Sequence, residues 1–136
     1  MPFQPYLFFG GNCCQAFTRY QEIFGGELEL MRMGDVPGSD APPEQADMII
    51  HAALTFAGHL LMASDDPMNV PFPPVQGMLV SYSATDVTDA HRVFDALAAG
   101  GEVRQALTET FFAPAFGMCL DTFGTPWMIT TEPATQ

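Results

Sequence analysis

The fold turns on residues 51–65, HAALTFAGHLLMASD, and on their echo at residues 116–129, FGMCLDTFGTPWMI. Each stretch has two apolar runs around a glycine turn, Ala57-Gly58 in the first and Phe123-Gly124 in the second. Short apolar runs separated by a glycine turn read as β-hairpins. Four residues after each glycine stands a methionine, Met62 and Met128.

Working outward, the same order of elements precedes both hairpins. Tyr6–Phe9 is a short aromatic strand ended by Gly10-Gly11. Asn12 follows as an N-cap with Gln15 as its capping-box partner. Cys13, Ala16, Phe17, Tyr20 and Phe24 then form one helical stripe, stopped by Gly25-Gly26. Glu27–Met33 alternates as a strand, and Gly34–Asp47, rich in proline, glycine and acid, is a loop. In the second copy Met78–Ser83 is a strand, and Asp86 caps a helix carrying Val87, Ala90, Val93, Phe94 and Leu97. Gly100-Gly101 ends it, and Glu102–Leu107 is a strand. Gly-Gly-Glu recurs after both helices, at Gly25-Gly26-Glu27 and Gly100-Gly101-Glu102. Self-similarity of this kind indicates an internal repeat. The predicted fold is α+β: two tandem βαβββ modules forming a curved, largely antiparallel sheet, with a concave cleft and helices on the convex side. Module one covers about residues 1–66, a proline-rich linker about 67–76, and module two about 77–132. All lie in a single domain, since 136 residues can bury one core.

Composition excludes several classes. Sixteen acidic residues against four basic ones give a net charge of −12. Such a field repels phosphate backbones and anionic lipid surfaces, so neither nucleic acid nor membrane is an expected partner. No apolar run approaches the ~20 residues that span a bilayer, and the N-terminus does not read as a signal peptide. Cys13, Cys14 and Cys119 read as thiols of a reducing, cytoplasmic setting. Cys14 opens a helix, where a thiol can become reactive, but burial with its neighbours is the plainer reading.

These motifs resemble the vicinal oxygen chelate superfamily, which includes glyoxalase I, extradiol dioxygenases and bleomycin-resistance proteins. The resemblance is nearest to the PhnB-like branch. It is carried by Pro5-Tyr6-Leu7-Phe8-Phe9-Gly10-Gly11, by FGGELELMRMGD at residues 24–35, and by the two hairpins above. It implies small-molecule binding and a homodimer. That branch has carried a demethylubiquinone methyltransferase label, yet no glycine-rich loop follows a strand to hold a nucleotide cofactor.

The resemblance also implies a divalent metal held by His, Glu or Gln on four strands. Carried over residue by residue, those positions fall at Pro5, Met62, Met78 and Met128. None offers a hard donor, and thioethers suit Cu(I) rather than Mg, Mn, Fe or Zn. The expectation is therefore a small-molecule-binding protein without metal or other cofactor, its ligand hydrophobic or aromatic. Tyr6, Met62, Met78, Phe112 and Met128 are the candidate ligand contacts. The alternative is a lyase, isomerase or dioxygenase-like enzyme with metal at non-standard positions, drawn from His51, His59, Asp65, Asp66 and Glu132.

His51 and Glu109 are the catalytic candidates. His51 shares a strand face with Ala53 and Thr55, opposite Ile50, Leu54 and Phe56. There it can act as a general base or bind an anion; the plainer alternative is a strand-end histidine bonded to backbone. Glu109, with Phe111-Phe112, forms either a cleft-mouth carboxylate with an aromatic wall or a solvated end of the sheet. Trp127, Tyr82 and Tyr6 can face ligand or core, and residue type favours core. Asp65-Asp66-Pro67 reads as a turn; His59 reads as a turn histidine and His91 as an exposed helix residue.

Overall fold

The structure is a computed structural model that describes residues 3–73 and 75–131. In the first unit, Met1–Pro73, the chain runs β1 (Tyr6–Phe9), α1 (Cys13–Phe24), β2 (Glu27–Arg32), β3 (Ile49–Phe56) and β4 (His59–Asp65). In the second, Pro74–Gln136, it runs β5 (Val80–Ala84), α2 (Val87–Ala98), β6 (Glu102–Thr108), β7 (Phe116–Leu120) and β8 (Pro126–Thr131). Hydrogen bonding groups the strands as two four-stranded sheets, ordered β1-β4-β3-β2 and β5-β8-β7-β6. The tandem βαβββ α+β fold is present, with the same strand order in each unit. β1 and β5 run parallel to their partners, and the other pairings are antiparallel.

Each helix buries one stripe on its own sheet. In α1 the stripe is Cys13, Ala16, Phe17, Tyr20 and Ile23. Ile23 replaces the expected Phe24 in the buried set, and Phe24 instead lies 6.3 Å from Phe56, ring centre to ring centre. In α2 it is Ala90, Val93, Phe94 and Leu97. Opposite these lie Ala52, Leu54 and Ala63 in the first sheet, and Trp127, Ile129 and Cys119 in the second, all buried. The repeated Gly-Gly has a steric reason. A Cβ on Gly26 would strike the Thr55 carbonyl oxygen, and one on Gly101 would strike that of Leu120. Both positions lie where the chain leaving a helix passes close over the neighbouring hairpin.

The capping box at the start of α1 does not form. Asn12 makes no side-chain cap bond. Asp65, read as a turn residue, is instead the last residue of β4 and is 3% exposed. Its Oδ1 accepts from the Gly11 and Cys13 backbone N–H groups at 2.9 and 3.0 Å. Its Oδ2 accepts from the Ile49 N–H at 2.9 Å. Parallel pairing sets Asp65 beside Phe9, which places the carboxylate under the β1–α1 turn. It satisfies helix N–H groups that have no partner within the helix. Asp66 is the true turn residue, accepting from Met68 N–H and the Asn69 amide.

In the second unit the cap is local, as expected: Asp86 Oδ1 accepts from Asp89 N–H at 2.7 Å. Asp121 organises the β7–β8 hairpin. It accepts from Phe123 and Thr125 N–H through Oδ1 and from the Trp127 indole N–H through Oδ2 at 2.8 Å.

Two further expectations are corrected. Ile50 is 39% exposed, and Ile49 takes the buried place at the start of β3. The register shift between Met31 and Arg32 accounts for it, since a bulge moves side chains to the other face. Met78 precedes β5 and is 73% exposed. Single 3₁₀ turns at Met33–Asp35 and Pro43–Gln45 punctuate the connection between β2 and β3.

The Tyr82 hydroxyl donates to Asp89 Oδ2 at 2.7 Å, tying β5 to α2, and Arg92 donates to Oδ1 at 2.8 Å. Burial and the bond to Asp89 push the Tyr82 phenol up to about 12. Burial opposes ionisation of Asp89, yet Tyr82, Arg92 and a Thr85 backbone bond hold its carboxyl below its ordinary value.

Three stability tests follow from these contacts. Asp65→Ala leaves the buried Cys13 and Ile49 N–H groups and the part-buried Gly11 N–H without their acceptor, so urea unfolding should show a loss of about 3 kcal/mol or more. Asn12→Ala should cost less than about 0.5 kcal/mol, since Asn12 caps nothing. The folded Tyr82 phenol binds its proton more tightly than the unfolded one. Its contribution is therefore complete below pH 10 and falls as pH rises toward about 12. Tyr82→Phe should flatten that alkaline loss in chemical-denaturation curves and cost about 1 kcal/mol at neutral pH.

Candidate functional site

With one sheet face covered by its helix, functional side chains belong on the other. Strand alternation and register place them. In the first unit, Tyr6 stands opposite Met62, Met62 opposite Ala53, and Ala53 opposite Glu29. One row along, Phe8 stands opposite Ser64, and His51 opposite Met31. The structure therefore brings Tyr6, Met62 and His51 onto one open face.

Two side chains meet there through polar atoms, Tyr6 Oη and His51 Nδ1, 3.2 Å apart. Their rings are tilted, with centres 6.0 Å apart. Tyr6, a candidate ligand contact although residue type favours core, is 41% exposed. Burial raises its phenol above the ordinary 10.0, and Cys13 adds to the shift, so the hydroxyl stays protonated at neutral pH. The Tyr6 ring continues into Phe8 at 5.5 Å, and Phe8 stacks on Phe72 at 6.2 Å.

Sequence reasoning missed Phe8 and Phe72 as parts of this wall. The two-residue spacing of Tyr6 and Phe8 carried a signal. Phe72 carried none, because it sits in the proline-rich segment. That segment reaches β1 because Gly10 has no side chain: a Cβ there would collide with Asn69, Pro71 and Phe72 backbone atoms.

In the second unit, Met128 stands opposite Ser81 and Met118, and Thr130 opposite Phe116. Phe112 meets Phe116 edge to face at 5.0 Å. Phe111 is fully exposed. Glu109 is exposed, one residue beyond the end of β6. Met118, unremarked from sequence, joins Met128 on the open face. Trp127 is core, as expected.

The positions that the resemblance assigns to metal do not fit a hard divalent cation. Pro5 offers only its carbonyl, which accepts from Met62 N–H at 3.2 Å. Met62 and Met128 offer thioethers, and Met78 lies outside the strand. Of the alternative donors, Asp65 is committed to three backbone N–H groups and His51 Nδ1 to Tyr6. His59 is exposed at the start of β4, and Glu132 lies outside the described residues. Among the described residues no group of three or more His, Cys, Asp or Glu converges on one point, and no helix is long and apolar enough to cross a membrane.

The fold is that of the glyoxalase/bleomycin resistance/dioxygenase superfamily. A glyoxylase/bleomycin resistance protein/dioxygenase domain from Frankia sp. EAN1pec superposes with a TM-score of 0.66 at 16% identity, over 96% of this chain and 95% of that one. More narrowly, the chain belongs to the family described as 3-demethylubiquinone-9 3-methyltransferase, whose pattern matches residues 2–130. It is 38% identical to Protein YjdN of Escherichia coli (strain K12), over 95% of this chain and 94% of that protein. It is similar to protein PA1353 from Pseudomonas aeruginosa, with a TM-score of 0.87 at 40% identity, over 97% and 98% of the two chains. A Bacillus cereus structure, described as a putative 3-demethylubiquinone-9 3-methyltransferase, PhnB protein, gives 0.80 at 23% identity, over 96% and 99%.

The thiols are a direct test of these environments. Burial and Asp65 raise the Cys13 thiol, and burial and Asp121 push Cys119 up to about 11. Cys14 is only half-buried. Brief iodoacetamide treatment of the native protein near neutral pH should add one carbamidomethyl group, at Cys14. Treatment after unfolding should add three, both read by peptide mass spectrometry.

Proposed function

We propose that the protein binds a small hydrophobic or aromatic molecule on these open sheet faces, and does so without the divalent metal its superfamily commonly uses. The observation that carries this reading is the row Tyr6–Met62–Ala53, flanked by Phe8 and His51. It puts the Met62 thioether where a hard donor would be needed and surrounds it with aromatic and imidazole groups. Thioether and aromatic surfaces adapt to flat apolar ligands at little cost in polarity. Met128, Met118, Phe116 and Phe112 extend the same chemistry to the second unit.

Membership of the family does not bring methyl transfer with it. That activity needs a bound methyl donor, and the strand-to-helix turn at Gly10-Gly11 lacks the G-x-G-x-x-G spacing that holds a nucleotide moiety. The mode of action proposed is binding, in a homodimer whose exposed sheet edges favour pairing.

A thermal-shift screen of flat aromatic and aliphatic compounds tests the reading. Binding at a hundredfold excess over Kd contributes about 2.7 kcal/mol, which for a chain of this size is a rise of several degrees. EDTA should leave the unfolding midpoint unchanged, and elemental analysis of protein purified without chelator should find far less than one metal per chain. Failure of every compound, or stoichiometric Zn, Ni, Mn or Fe, would overturn the proposal. Light scattering at micromolar concentration should give twice the chain mass; a monomer refutes the dimer.

A further inference from the structure

We propose that Tyr6 and His51 act as one recognition pair, in which the Tyr6 hydroxyl fixes the His51 tautomer so that Nε2–H is presented to a carbonyl oxygen of a neutral aromatic ligand. This rests on the binding role proposed above and deepens it by naming the ligand's chemistry.

The geometry supplies the donor. A neutral imidazole has one nitrogen that donates and one that accepts, and the bond made by one decides the role of the other. The Tyr6 phenol lies 3.2 Å from Nδ1 and can either donate or accept; in the proposed pair its O–H donates there. The proton of the neutral ring then sits on Nε2. Among the described residues no protein group bonds Nε2, and none of their buried side-chain nitrogen or oxygen atoms lacks a partner. Nε2 therefore reaches solvent, where a ligand can take its hydrogen bond.

The surroundings choose the ligand. Tyr6, Phe8 and Phe72 form a continuous run of rings starting at the pair, a platform for a flat aromatic body. Glu27 and Glu29 project from β2 on the His51 side of the sheet, opposite Thr55 and Ala53. Arg32, the only lysine or arginine on the four strands, comes after the register shift that follows Met31. A carboxylate ligand would meet those acids and a chain of net charge −12. A neutral carbonyl keeps the hydrogen bond and avoids the repulsion.

Two measurements test the pair on the full-length protein. Long-range ¹H–¹⁵N spectra at about pH 8, where histidine is neutral, report the tautomer with no ligand present. The wild type should show a pyridine-like Nδ1 and a pyrrole-like Nε2 for His51, and Tyr6→Phe should show a mixture of tautomers. Titration with naphthamide, naphthoate and methylnaphthalene reports the ligand class. Naphthamide should bind best, by about five- to tenfold, the worth of one hydrogen bond. That preference should vanish in His51→Phe, which keeps a ring at the site, while methylnaphthalene binding persists. Proton placement on Nδ1 in the wild type overturns the inference. So does equal binding of naphthamide and methylnaphthalene, an outcome that leaves the general binding role standing. Absence of binding by all three probes removes both. Unfolding midpoints of the variants within a few degrees of wild type exclude misfolding as the cause.

Discussion

A single buried carboxylate holds the first unit in register. Asp65 ends β4 and binds, through three backbone N–H groups, the turn after β1, the first residue of α1 and the first residue of β3. The Cys13 and Ile49 groups would otherwise be buried without an acceptor, a cost larger than the bond itself is worth. The carboxylate thus fixes β1 against β4 and β3 at once. Those three strands carry Tyr6, Met62 and His51, so the arrangement of the open face depends on a residue that points the other way. The second unit divides the same work. Asp86 caps α2, Asp121 orders the hairpin and its tryptophan, and Thr131 Oγ1, at the end of β8, accepts from Ala115 N–H.

The open faces differ in the same systematic way. Position for position along the pairings, Tyr6–Met62–Ala53–Glu29 in the first sheet matches Ser81–Met128–Met118–Gln105 in the second. The methionine is common to both rows. The aromatic and imidazole groups around it belong to the first. Aromatic and imidazole groups are therefore concentrated on the first face, while the second face presents thioethers with Phe112 and Phe116 at one end. The shared fold with glyoxalase and bleomycin-resistance proteins sets the scaffold; the chemistry is set by which side chains these rows present.

The sequence alone determined the elements and much of their packing. Strand and helix order, the glycines after each helix, the Asp86 cap, and the buried stripes follow from periodicity and short-range turn chemistry, which act over a few residues. Alternation also put His51 on the open face. The vacancy of hard donors at Pro5, Met62, Met78 and Met128 is a matter of residue type and was legible without coordinates.

Tertiary structure decided what depends on distance along the chain. Asp65 lies 52 residues from the helix end it serves, so nothing near Asn12 could announce that the local cap would go unused. The bulge at Met31/Arg32 exchanged Ile49 for Ile50, because one extra residue inverts a two-residue period. Tyr6 looked like core by type and stands in the open because its strand turns Phe9 inward instead. Its bond to His51, 45 residues away, exists only because parallel pairing sets β1 beside β4, and β4 beside β3. Sequence fixes which groups are available and how each strand alternates; only the pairing of distant strands, set by burial and backbone hydrogen bonding, decides which of them meet.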